Sequence, residues 1–265
     1  MDGRLPNFCH PYFIMRNKRN MQNYKLTIQY DGSRYNGWQR QGNTENTIQG
    51  KLNEIIGRYL GEEIDLSGSG RTDRGVHAYG QVANFKTAKC LDKDKFLWDI
   101  NSYLPQDIRI VAVESVDERF HARLSAVLKT YEYVIDNGLV SDVFARKYSY
   151  RLEEKLDVEK MRVAAELLTG THDYLSFCGN KKFKKSSIRT VTNIIITESD
   201  GKITISFTGN GFLQNMVRIM AGTLIELGLG KRKPESMTDI LNAHSREEAG
   251  MMAPAEGLFL KEVEY

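Results

Sequence analysis

A chain of 265 residues with 41% apolar and 27% charged residues has the make-up of a folded protein with a real core, which excludes collagenous, low-complexity and disordered classes. Its net charge of +3, from 37 basic and 34 acidic residues, is too small to identify a partner, so the placement of the cations has to decide. Cys9, Cys90 and Cys178 are widely spaced with no C-x-x-C pair, which argues for free thiols in a reducing cytoplasm, and no apolar run approaches the ~18 residues of a membrane helix.

Residues 1–22 carry Arg4, Arg16, Lys18 and Arg19 among Phe8, Tyr12, Phe13 and Ile14, without the apolar core of a secretory signal. They are expected to form a disordered basic leader, or else translation begins at Met15 or Met21. Tyr24, Leu26, Ile28 and Tyr30 alternate with polar residues, which predicts a strand with one buried face, ended by Asp31-Gly32. The loop that follows mixes Arg34 and Arg40 with Tyr35 and Trp38, a composition suited to stacking bases and gripping phosphates. Trp38 itself reads better as a plug against the core. Ile48, Leu52, Ile55, Ile56, Tyr59 and Leu60 follow helical spacing, with Asn46 or Thr47 as the cap and Gly61 just past the end.

Residues 67–80 come next, with Gly68, Gly70, Gly75 and Gly80 shaping a tight loop. One carboxylate, Asp73, sits between Arg71 and Arg74. Neighbouring cations favour the ionised form, and an ionised Asp can act as nucleophile or general base. The arginines can hold phosphate as well. On these residues alone the loop is either a structural ion pair or a site. It is not a phosphate-binding P-loop, because the Lys-Ser/Thr after the second glycine is missing.

Downstream, residues 81–85 predict a short strand, 91–104 a helix closed by Pro105, and 107–114 a further strand. Residues 129–135 predict a strand ending at Asn137-Gly138. A helix capped by Asp157 runs to Leu168 and stops at Gly170, and His172-Asp173 reads as the structure by which the chain leaves it. Lys181, Lys182, Lys184 and Lys185 surround Phe183 in the densest basic run. Residues 189–196 and 202–207 predict a hairpin turned by Asp200-Gly201, and 211–229 a long apolar helix. Arg218 is the anomaly on that helix, since a cation among apolar residues calls for an anionic partner; the alternative is a snorkelling side chain. A short helix after Pro234 and a closing strand ending near Tyr265 complete the chain.

Gly70-Arg-Thr-Asp-Arg-Gly-Val-His-Ala78 resembles the catalytic motif of the TruA family of tRNA pseudouridine synthases. Further landmarks of that family are matched by Tyr30-Asp-Gly32 with Gly37-Trp-Gln39, by Phe120-His-Ala-Arg123 with Lys129-Thr-Tyr131, by Thr171-His-Asp-Tyr174, by Met216-Val-Arg218 and by Ala253-Pro-Ala255 with Gly257-Leu258. The likeness spans residues 24–265. It implies that Asp73 is the catalytic nucleophile or base, that Tyr131 stacks on the target base, and that Arg218 is the active-site arginine, here assigned to pair with Asp73. Arg71, Arg74 and Tyr131 are expected to bind substrate, and the basic run around one aromatic, whose alternative is a solvated loop, favours Lys181, Lys182, Lys184 and Lys185 as backbone contacts. The implied substrate is the anticodon stem-loop of tRNA at positions 38, 39 and 40, with no cofactor, no metal and a homodimeric assembly.

The expected fold class is α+β: two similar α/β halves, 23–138 carrying the catalytic loop and 139–265, with mixed and antiparallel sheets joined around a central cleft and helices on one face. Two other readings remain at this point. One is an RNA-binding module without catalysis; the other is a carboxylate glycosidase, which needs a second acid facing Asp73.

Overall fold

The computed structural model describes residues 21–42, 44–180 and 182–265, so the expectations for residues 1–20 and Lys181 lie outside the described residues. The first strand, β1 (Gln22–Tyr30), buries Tyr24, Leu26, Ile28 and Tyr30 as its alternation requires. Helix α1 (Ile48–Leu60) buries Ile48, Leu52, Ile56 and Leu60, is capped by the Thr47 hydroxyl accepting from the Gly50 amide, and ends at Gly61 with φ +66°. Such a cap is worth ~1 kcal/mol. Next come β2 (Ser67–Gly68), β3 (His77–Thr87), α2 (Lys93–Tyr103) and β4 (Ile108–Val116). Then β5 (Leu128–Asp136), β6 (Tyr150–Arg151), α3 (Val158–Leu167) and β7 (Gly170–Asp173) follow. The chain closes with β8 (Ile188–Ser199), β9 (Lys202–Gly209), α4 (Met216–Gly228), α5 (Ser236–Ala243) and β10 (Leu258–Glu264).

All the strands join one mixed ten-stranded sheet, whose main path runs β4-β1-β3-β10-β5-β9-β8-β7. Neighbours on this path are antiparallel except β3 and β10, which run parallel. The last strand of the chain is therefore wedged between β3 and β5. This places Ala78, Leu260, Tyr131 and Phe207 in one row across four strands. All four are buried, so the row faces the helix-covered core. With strands ~4.8 Å apart, Tyr131 lies about 10 Å from the start of β3, within reach of the loop that feeds it. Residue 138 falls between strands of this one sheet: β5 precedes it and pairs with β9 and β10, which follow it.

The structure corrects three local expectations. Ser67-Gly68 is not loop but a two-residue strand on β3, too short to show a period. The fourth long helix starts at Met216 rather than Gly211, because Asn215 takes φ +60°, a left-handed conformation that stops helix from extending upstream. His172 and Asp173 lie in β7 rather than at a helix exit. The His172 ring meets the Thr169 carbonyl at 2.7 Å and Asp173 accepts from the Leu175 amide, so the two do not act as a pair.

Candidate active site

The catalytic-loop candidate is held from behind by the 30–38 segment. The Tyr30 and Thr72 hydroxyls are 2.8 Å apart, and the Trp38 amide donates to the Thr72 carbonyl at 3.1 Å. Gly37 has φ +90°, and a Cβ there would lie 2.6 Å from the Thr72 carbonyl oxygen, so only glycine lets the two loops touch. Trp38 is the buried plug expected of it, with its indole pressed on Gly68. Beyond Thr72 the chain turns, with the Val76 amide donating to the Asp73 carbonyl and Gly75 at φ +81°. The Asp73 side chain is thereby left at the wall of a cleft of about 560 Å³.

Asp73 Oδ2 meets Arg218 Nη1 at 3.5 Å, joining residues 145 apart in the chain. The partner assigned to Arg218 from sequence is the one it has. Arg218 is steered there by its neighbours: its Nε donates to the Ala253 carbonyl at 2.8 Å, while the Ala253 amide donates back to the Arg218 carbonyl. The expectation that Arg71 and Arg74 hold Asp73 ionised fails. Both are exposed, and neither has an ion pair with it among the described residues. The Arg71 guanidinium instead donates to Gln39 at 3.2 Å on the cleft wall, and Arg74 lies off the cleft. Burial pushes the Asp73 carboxyl above its ordinary range, and Arg218 opposes the shift without cancelling it.

Tyr131 enters the same cleft from β5. Its ring packs edge-to-face on Phe212 at 5.3 Å, and burial raises its hydroxyl, with Tyr30 and then the Asp73 charge adding to the effect. Of the basic run, Lys185 and Phe183 line the cleft, whereas Lys182 and Lys184 are exposed outside its lining. His77, although inside the catalytic motif, sits on the opposite side of β3 from Ala78, stacked on Phe259 at 4.8 Å. It is buried and accepts from the Gly32 amide, and burial lowers its pKa, so it ties loops together as a neutral ring.

Lys129, Arg123, Arg189 and Phe212 line the cleft without having been assigned to it from sequence. The signal for Lys129 was present: two residues before Tyr131 on a strand, it must share that residue's face. Among the described cleft residues Asp73 is the sole carboxylate, which leaves a glycosidase without its second acid. No group of three or more His, Cys, Asp or Glu side chains that could hold a metal occurs among the described residues, and no helix among them is long and apolar enough to cross a membrane.

An acid paired with one arginine shares a cationic cleft with a tyrosine; comparison with known proteins places the chain that builds it in a family. A sequence model described as tRNA pseudouridine synthase matches residues 26–124 and 164–265. The chain belongs to that family. Three relatives are a tRNA pseudouridine synthase A 2 of Bacillus cereus, the tRNA pseudouridine synthase A of Brevibacillus brevis and the tRNA pseudouridine synthase A 2 of Clostridium tetani. The first is 48% identical over 245 residues, 92% of this chain and all of the relative. The Brevibacillus protein is 44% identical over 92% of this chain and all of the relative. The Clostridium protein is 44% identical over 92% of this chain and 99% of the relative. In this tRNA pseudouridine synthase family member the matched segments carry Asp73 and Arg218, while Tyr131 and Lys129 fall in the stretch between them.

Proposed function

We propose that this chain isomerises uridine to pseudouridine at positions 38, 39 and 40 of the tRNA anticodon stem-loop, with Asp73 as nucleophile or base and no cofactor. Family membership makes it an isomerase acting on tRNA. The reaction breaks the N1–C1′ bond, turns the base and rejoins C1′ to C5; the C5 proton leaves and N1 gains one, so no group is gained or lost. The observation that carries the reading is the Asp73–Arg218 pair facing Tyr131 in a cleft with no other carboxylate among its described residues.

Each residue has a task that follows from its setting. Burial raises the proton affinity of Asp73, which strengthens it as base and nucleophile, while Arg218 keeps it charged and aimed. Tyr131 stacks on the extruded uracil. A cleft of about 560 Å³ falls in the ~300–1,000 Å³ range of small-ligand sites, enough for one nucleotide. Extrusion costs a few kcal/mol, least in a loop, and stacking on an aromatic returns ~1–3 kcal/mol. Arg71, on the cleft wall, and Arg74, Lys181, Lys182, Lys184 and Lys185 hold flanking phosphates by charge and shape rather than by base sequence. The reading includes a homodimer working in the cytoplasm, with 23–138 and 139–265 as similar halves about the cleft.

The test is to map pseudouridines in tRNA from cells with and without this gene. Loss confined to positions 38–40 is expected; an unchanged map, or loss elsewhere in the tRNA, would overturn the assignment.

A further inference from the structure

The cleft holds a cation that the reaction described above does not use. Lys129 projects from β5 on the face of Tyr131, and its Nζ donates to the Ser69 carbonyl at 2.6 Å. That is its one hydrogen bond and it has no carboxylate partner among the described residues, so two of its three N–H groups are left for a ligand. Arg123, just upstream of β5, lines the same wall and likewise has no ion pair among the described residues. The groups around Lys129 offer it no negative charge. Its cross-strand partners are Gly209 of β9 and Val263 of β10. The acids of β10, Glu262 and Glu264, are in register with Thr130 and Leu128, whose side chains leave by the other face. Asp73 is already engaged by Arg218. The Ser69-Gly70 backbone lies against it, and the Tyr131 hydroxyl is close to the same glycine.

We propose that Lys129 and Arg123 form a phosphodiester subsite, in which the Lys129 ammonium, seated on the Ser69 carbonyl, grips a backbone phosphate beside the extruded nucleotide. This rests on the reading of the cleft as an RNA site. Two cations share a wall without an acid between them, an arrangement that an anion stabilises. The same contact anchors the root of the catalytic loop, because Ser69 and Gly70 are also tied to Gln81 of β3 at 2.7 and 3.0 Å. A phosphate at Lys129 thus engages the piece of backbone from which Asp73 is hung.

The subsite has a pH signature. Burial first, and the Arg123 charge second, push Lys129 down to about 8. A bound phosphate favours the charged form, so RNA binding takes up a proton in mildly alkaline solution. Affinity is complete below that pKa and falls as pH rises through it, by about tenfold between pH 7 and 9.

The experiment is to measure the dissociation constant of an anticodon stem-loop RNA from pH 7 to 9 at fixed ionic strength. Wild type, Lys129→Arg and Arg123→Gln are compared, each checked by circular dichroism and thermal melting. Expected are the tenfold fall in wild type, a flat profile with the pH 7 affinity retained in Lys129→Arg, and a midpoint displaced to higher pH in Arg123→Gln. A flat wild-type profile, or an equal fall in Lys129→Arg, overturns the subsite. If Lys129→Arg does not fold, the Arg123→Gln midpoint decides: an unmoved midpoint overturns it as well. Tritium release from C5-labelled uridine in tRNA, run on the same wild-type protein, separates the two readings. Release with a flat binding profile removes the subsite alone. A pH-dependent profile without release keeps the subsite and removes the isomerase reading, and absence of RNA binding removes both.

Discussion

Replacing Arg218 with methionine keeps much of the stem volume and removes the charge that faces Asp73. At 3.5 Å the pair's direct attraction is about 5 kcal/mol for an effective dielectric of ~20. That is a ceiling, because the Asp73 side chain is 34% exposed and water screens it. A discounted ~1–2 kcal/mol is realistic. Since ~1.4 kcal/mol is tenfold, losing that attraction should lower kcat by ~5–30-fold. The sign is set by burial, which already raises the carboxyl; without Arg218 nothing opposes that rise. The acid limb of the pH–rate profile should therefore move to higher pH, and part of the lost rate should return at alkaline pH. Single-turnover tritium release at saturating enzyme, measured from pH 5.5 to 9, reads both effects. A variant with wild-type kcat and an unmoved acid limb would refute the claim that Arg218 sets the charge state of Asp73.

Other outcomes rest on the same geometry. Gly37→Ala places a Cβ 2.6 Å from the Thr72 carbonyl oxygen at φ +90°, so it should cost at least ~1–2 kcal/mol, visible as a lower Tm, and reduce activity by shifting the catalytic loop. Tyr131→Leu should cost ~1–3 kcal/mol of stacking, whereas Tyr131→Phe should bind tRNA about as well as wild type in a filter-binding titration. Lys184→Glu with Lys185→Glu should weaken tRNA binding and flatten the slope of log K against log salt by about 1 for each phosphate no longer neutralised; an unchanged slope would make that run mere solvated surface.

Much of the site can be read from the chain because it is local. The glycines around Asp73 and the alternation that puts Tyr131 on a buried face are written in adjacent residues. Arg218 is legible for another reason: a charge on an apolar helix has to be answered, and Asp73 answers it. The arrangement of the sheet is not legible. Nothing near Leu258–Glu264 says that this strand slips between β3 and β5, yet that insertion sets the distance between Tyr131 and the catalytic loop. Arg71 and Arg74 mislead for the same reason, since closeness in sequence is not closeness of charge. Both side chains are exposed and neither pairs with Asp73, which leaves the carboxylate to a cation from α4. Lys129 is half legible: the period of two puts it on the face of Tyr131, but which groups surround it shows only once β9 and β10 are in place.

The most direct measurement is Asp73→Asn, an isosteric change that removes the charge and keeps the shape. Burial raises the Asp73 pKa, so its ionised form destabilises the fold above the ordinary carboxylate range, and the variant should melt no lower than wild type at pH 7. It should still bind tRNA, and it should release no tritium from C5-labelled uridine. Release at the wild-type rate from a folded, tRNA-bound Asp73→Asn protein would contradict the central claim, because the chemistry would then belong to another group.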